Sequence, residues 1–229
     1  MLSLMEELLL LALEDDKGTV PSSVQTALPY GLAAAGLSDL LLAGRLTTAE
    51  KQKVSVVDGT ATGDDLLDEM LAKISQSRKQ KSLKDWVSSF GGGGIKKSQQ
   101  RLEDRLIAKG ILRLEEGRFL SIFPWHHYPT IDGGPEAEAR ESLHGVLLGG
   151  AIPEPRTAIL VSLVAACNLV DKLVTKEERK LAKQRAKEIG KGEYAGQAVS
   201  KAVEEVAAAT AAMIAAVAAA SVTSSSSSS

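Results

Sequence analysis

The stretch Leu2–Val20, LSLMEELLLLALEDDKGTV, decides the fold. A leucine run this close to residue 1 reads either as an address to a membrane or as a helix that packs. A secretory signal needs a positive start, an apolar core of about 7 to 15 residues and a small-residue cleavage site. Here Glu6 and Glu7 lead into the run, no Lys or Arg stands before Lys17, and Glu14, Asp15 and Asp16 close it. At helical spacing Leu4, Leu8 and Leu11 form one stripe, flanked by Leu2, Met5, Leu9 and Leu13. The stretch is predicted as a buried helix stopped by the DDKG turn.

Further helices follow. LAAAGLSDLLLAGRL carries Leu37, Leu40 and Leu41 and stops near Gly44, and KVSVVDG has the β-branched character of a short strand. TGDDLLDEMLAKISQSRK is predicted as a helix capped by Thr62, with acids in its first turn where the helix dipole favours them. Ser82 and Asp85 form a capping-box pattern for the next helix, SLKDWVSSF. A glycine-rich loop at Gly91–Gly94 leads into a helix with Leu102, Leu106 and Ile107 on one face. ILRL and RFLSIF flank EEG and are predicted as a β-hairpin. A helix through Ala139, Leu143 and Val146 ends at the prolines of AIPEPR, and TAILVSLVAACNLVDKLV is apolar nearly all round, the pattern of a central buried helix. KEERKLAKQRAKEIG reads as a solvent-facing helix, QAVSKAVEEVAAATAAMIAAVAAASV as an Ala-rich last helix, and the serines at 223–229 as a disordered tail. Alanine contributes too little transfer energy for a membrane span, so the last helix is expected to pack. The prediction is a single, mainly α domain over residues 1–222 with a central apolar helix and one or two β-hairpins.

Composition narrows the function classes. The 229 residues hold 27 Lys and Arg against 29 Asp and Glu, so any anion site has to be local. Two hairpin-like units after helices would suit a winged-helix DNA binder, yet the net acidity and the lack of a basic recognition helix argue against nucleic acid. Cys167 is the one cysteine and sits in an apolar run, which fits a reducing, cytoplasmic setting. His126, His127 and His144 have no cysteine cluster or HExxH pattern to join, and no nucleophile with its base can be named. The sequence therefore carries no enzymatic reading, no metal and no cofactor.

The order of the pieces carries more than any one of them. The Leu2–Leu13 opening, AGRL at Ala43–Leu46, TGDDLLDEML at Thr62–Leu71, RLIAKGIL at Arg105–Leu112 and RFLSIF at Arg118–Phe123 together resemble the Golgi phosphoprotein 3 family, from about Leu2 to Ala220. The resemblance implies a helical domain with a projecting β-hairpin. It also implies a peripheral membrane protein that binds phosphatidylinositol 4-phosphate on the cytosolic face of the Golgi and holds the cytosolic tails of membrane enzymes. At the positions of the family's lipid pocket, a tryptophan and three arginines, this chain has Val24, Ala33, Lys96 and Gln99, so Lys96 alone keeps a charge. Those replacements and the Ala-rich last helix point to a bacterial-type member, for which the Golgi terms transfer by family name only.

Two regions are candidates for membrane contact. From Arg78 to Arg118, basic residues outnumber acidic ones eleven to five, and Lys96, Lys97 and Arg101 behind the glycines are the candidate site for an anionic, phosphoinositide-like headgroup. RFLSIFPWHHYPTIDGG gathers Phe119, Ile122, Phe123, Trp125 and Tyr128, and Trp and Tyr favour a membrane interface. In the family that hairpin serves bilayer insertion and subunit contact, so a homo-oligomer is a further expectation. The other reading of the same residues is a soluble protein-interaction adaptor that keeps the fold and has lost the lipid.

Overall fold

In the computed structural model the described residues are 1–14, 17–49, 51, 53–119 and 123–191, and the side chains described exclude those of 117–126. Helix α1, Leu4–Ala12, starts on a capping box in which the Glu6 N–H donates to Ser3 Oγ and the Ser3 N–H donates to the Glu6 carboxylate at 2.8 Å. Leu4, Met5 and Leu8–Leu11 are buried, so the opening run is a core helix, and each such leucine contributes roughly 2 kcal/mol of burial.

Helix α1 lies on α3, Leu28–Leu42, which follows a one-turn helix α2, Ser22–Gln25. The geometric centre of the described fold is α3. Its stretch PYGLAAAGL includes five small residues, Gly31, Ala33, Ala34, Ala35 and Gly36, and neighbours close in on it. A Cβ on Gly31 would lie 2.3 Å from Cys167 Sγ, and one on Gly36 would lie 2.7 Å from Met70 Sδ. Those contacts bring in α4, Asp65–Ser75, and α8, Pro155–Ala166, while α5, Leu83–Ser89, packs beside them. The expectation of one central helix across Thr157–Val174 needs correcting. Helix α8 is buried as predicted but ends at Ala166, Asn168 turns left-handed with φ 59°, and Val170–Leu173 is a separate turn, α9.

Helix α4 is capped by Asp64, whose Oδ1 accepts the Leu66 and Leu67 N–H groups at 2.9 and 3.1 Å. Thr62, the expected cap, instead donates its hydroxyl to Asp68 at 2.7 Å and steadies the turn before the helix. The Ser82–Asp85 capping box of α5 forms as predicted. The glycine run follows α5 directly and breaks the helix at Gly92 and Gly93, the latter with φ 102°, and a Cβ on Gly91 would come 2.8 Å from Tyr30 Cα. Glycine is there because backbone passes against α3 at that point.

Strands β1, Leu46–Thr48, and β2, Val54–Val56, pair antiparallel between α3 and α4. After α6, Ser98–Ala108, strands β3, Glu115–Phe119, and β4, Phe123–His127, form the second hairpin, with Phe119 opposite Phe123 and Gly117 opposite Trp125. The sequence places EEG at the turn; in the structure Glu115 and Glu116 are strand residues paired with His127 and His126, and the strand runs on to Phe119. Helix α7, Gly134–Leu147, and helix α10, Arg179–Gly190, complete the described bundle. Charged as it is, α10 buries Ala182, Ala186 and Ile189 against α8. The Ala-rich last helix and the serine tail lie outside the described residues. Among the described residues no helix is long and apolar enough to cross a membrane.

Candidate functional site

The predicted anion site lies at the start of helix α6, with Lys96 and Lys97 before its first residue and Arg101 on the helix, and the cations on and around α6 sort into two groups. Arg101 donates from Nε to Asp65 at 2.9 Å and from Nη1 to Glu69 at 2.6 Å, both on α4. One turn on, Arg105 donates from Nη2 to Asp64 at 3.1 Å and also pairs with Asp65. Lys109 donates to Glu6 of α1 at 2.6 Å, where the Glu6 side chain is 2% exposed. The Arg101 and Arg105 guanidinium groups hold the Asp65 carboxyl below its usual range. These cations bolt α6 to α4 and α1.

Lys96 and Lys97 differ. Both are exposed, and among the described residues neither makes an ion pair. Lys97 stands at the N-terminus of α6 with φ 52°, a left-handed conformation that costs a lysine about 1 kcal/mol or more. Of the predicted trio the structure leaves Lys96 and Lys97 to solvent and takes Arg101 away. The other pocket positions give nothing to a headgroup. Val24 and Ala33 are buried in the core, and Gln99 donates to Glu103, one turn further along α6, at 2.8 Å.

Sequence reading missed the α4–α6 clamp, although its signal was present: Asp65 and Glu69 on one helix, and Arg101 and Arg105 on the other, share the same four-residue spacing. The motifs AGRL, TGDD and RLIAKG meet with the start of α1 around a cleft of about 610 Å³. Its charges pair internally. Arg45 binds Asp58 and Thr60, and Arg156 of α8 donates to the Leu2 carbonyl at 2.7 Å and pairs with Glu7 at 2.9 Å and Asp39 at 3.4 Å. Burial pushes the Asp39 carboxyl up to about 7, against the pull of Arg156 and the Leu4 N–H, and burial raises Glu7 as well.

The hairpin is fixed at its root. The Tyr128 N–H donates to the Gly18 carbonyl at 3.0 Å, the Arg113 N–H to Pro129 at 3.1 Å and the Ile131 N–H to Ile111 at 2.8 Å. Gly18 has φ 57°, and a Cβ there would fall 2.1 Å from the Tyr128 carbonyl carbon. Tyr128 is half-buried against the core, and burial with the nearby Glu103 carboxylate pushes its phenol up to about 12. It therefore belongs to the root of the hairpin. Ile122 and the side chains of Phe119, Phe123 and Trp125 lie outside what is described. Burial also pushes the Cys167 thiol up to about 12, which leaves it inert at neutral pH. Among the described residues no group of His, Cys, Asp and Glu is set to hold a metal.

Comparison with known proteins bears on most of the chain. The family model described as Golgi phosphoprotein 3 (GPP34) matches residues 4–206. Vacuolar protein sorting-associated protein 74 of Eremothecium gossypii is 26% identical over 224 residues, covering 82% of this chain and 67% of the relative.

Proposed function

The chain belongs to the Golgi phosphoprotein 3 family, and from that premise we propose that it is a non-enzymatic peripheral protein that docks on the cytosolic face of a membrane carrying anionic lipid. Lys96 and Lys97 provide the headgroup contact and the hairpin a second point of attachment. The observation behind this is the sorting of cations on and before α6: Arg101, Arg105 and Lys109 are bound to carboxylates of α4 and α1, while Lys96 and Lys97 face solvent unpaired. Two lysines give point charges and no bidentate fork, so attraction to anionic lipid in general is expected, with little preference for phosphatidylinositol 4-phosphate.

A second reading rests on the burial of Val24 and Ala33 and the Gln99–Glu103 hydrogen bond, which together occupy the family's pocket with apolar packing and an acid. Under it the chain is a soluble adaptor that binds the tails of membrane proteins or its own copies. Co-sedimentation separates the two. Neutral vesicles, vesicles with phosphatidylserine and vesicles with phosphatidylinositol 4-phosphate are compared at low and high salt, with Lys96→Ala/Lys97→Ala alongside. Pelleting with both anionic vesicles that falls with salt and with the substitutions supports the membrane reading. Failure to pellet with any vesicle, with defined self-association in sedimentation velocity, supports the adaptor.

A further inference from the structure

The fold collects a second set of unpaired cations that the sequence holds apart. Lys51 and Lys53 sit on the turn and strand start of the first hairpin; Arg78, Lys79, Lys81 and Lys84 sit on the link between α4 and α5 and on the first turn of α5. The two segments are joined by backbone. Lys53 bridges Ser82, the Val54 N–H donates to the Lys81 carbonyl at 3.0 Å, and Gln80 Nε2 donates to Ser55 Oγ at 2.7 Å.

Among the described residues none of these six makes an ion pair, and all but the half-buried Lys81 are exposed. The acid within the two segments, Asp85, is committed to the α5 cap, where it accepts the Ser82 hydroxyl at 2.8 Å. Even with Glu50, which lies outside the described residues, counted against them, the cations outnumber the acids six to two.

We infer that this surface, built from the first hairpin and the α4–α5 link, is a second contact for an anionic bilayer and sets the orientation in which the protein lies on it. The inference rests on the membrane reading above and extends it to residues outside the α6 start. Of the chain's 27 Lys and Arg and 29 Asp and Glu, the surface takes six and, with Glu50, two, so the rest carries 21 against 27. Such a local excess of cations is drawn to a negative plane, an attraction that acts within the screening distance of about 8 Å at physiological salt. A flexible polyanion that wraps would meet the acidic remainder. Base stacking has no platform here either, because Trp86 is 4% exposed, stacked on Phe90 and covered by the Lys81 ammonium 4.6 Å from its ring.

The test is vesicle flotation of the full chain with phosphatidylcholine alone and with added phosphatidylserine. Three proteins are compared: the wild type, the neutralised variant Lys51→Asn/Lys53→Gln/Lys79→Gln/Lys84→Gln, and the charge-preserving variant with arginine at the same four positions. Lys81 is left in place because it covers Trp86, and asparagine is chosen at position 51 because that residue has φ 59°. Thermal melts confirm that each variant folds.

The expected result is that partition onto the phosphatidylserine vesicles falls at least about tenfold on neutralisation and is kept by the arginine variant. Wild-type flotation that the neutralised variant matches would overturn the inference while leaving the membrane reading in place. No flotation of the wild type would remove both. Equal, surface-dependent capture by a soluble polyanion such as heparin would overturn the assignment to a bilayer.

Discussion

The inner and outer cations of this protein are chemically alike and do opposite work. Arg105, Lys109 and Arg156 each meet a carboxylate from another helix, and those carboxylates are held by backbone caps or by burial. Lys51, Lys53, Lys79, Lys84, Lys96 and Lys97 meet water. Inner charges hold helices together because removing one partner strands the other in a poor solvent, whereas outer charges leave folding nearly untouched and remain available to a partner. A count of basic residues along the chain cannot separate the two groups.

The comparison can be broken first with pH. Asp39 binds its proton more tightly in the folded chain, about 7 against an ordinary 3.8. Stability from this group is therefore lost as pH rises between those values, by roughly 4 kcal/mol if Asp39 stays as buried as it is here. Glu7 acts in the same direction. Asp65 and Asp85 are lowered and act the other way, losing their stabilisation only as pH falls below the ordinary carboxylate range. Denaturant melts across this range are expected to show a maximum near the unfolded carboxylate values, and Asp39→Asn to flatten the decline on its alkaline side while keeping an acceptor for the Leu4 N–H. An unchanged alkaline slope would mean that Asp39 ionises normally.

Lys109→Met comes next. It leaves the Glu6 carboxylate buried without its cation and is expected to cost roughly 3 kcal/mol in urea melts. A loss under about 0.5 kcal/mol, the range of ordinary surface changes, would erase the distinction between inner and outer charges. The smallest effect is on the outer side. Lys97→Asn keeps a residue that tolerates the left-handed conformation and is expected to gain about 0.5 to 1 kcal/mol, with the loss of a positive charge at the helix N-terminus acting in the same direction. A destabilised Lys97→Asn would show that the lysine holds a contact in the folded chain.

Helix periodicity made most of the architecture legible, as did the Ser82–Asp85 box, because these depend on residues a turn apart. What failed depends on distance. The centrality of α3 was invisible because Gly31 and Gly36 matter for what they let approach, Cys167 and Met70, and contribute almost no hydropathy themselves. The doubled acid at Asp64–Asp65 shifted the α4 cap two residues from Thr62, and EEG drew the turn away from its true place because a glycine between acids reads as turn chemistry even inside a strand. At the candidate site, Lys96 is singled out by its place among the family's pocket positions, and Lys97 by the local charge behind the glycines. Arg101 was grouped with them because its partner is 36 residues away in sequence.

The root of the second hairpin has a mechanical consequence. Its backbone is tied to the Gly18 carbonyl on one side and to Pro129 and Ile111 on the other, and the glycine admits no side chain to loosen the joint. The pair of strands is thereby anchored to the rest of the fold at Gly18. The same anchor joins the hairpin to the segment between α1 and α2 and, through Tyr128, to Glu103 on α6, the residue that accepts from Gln99.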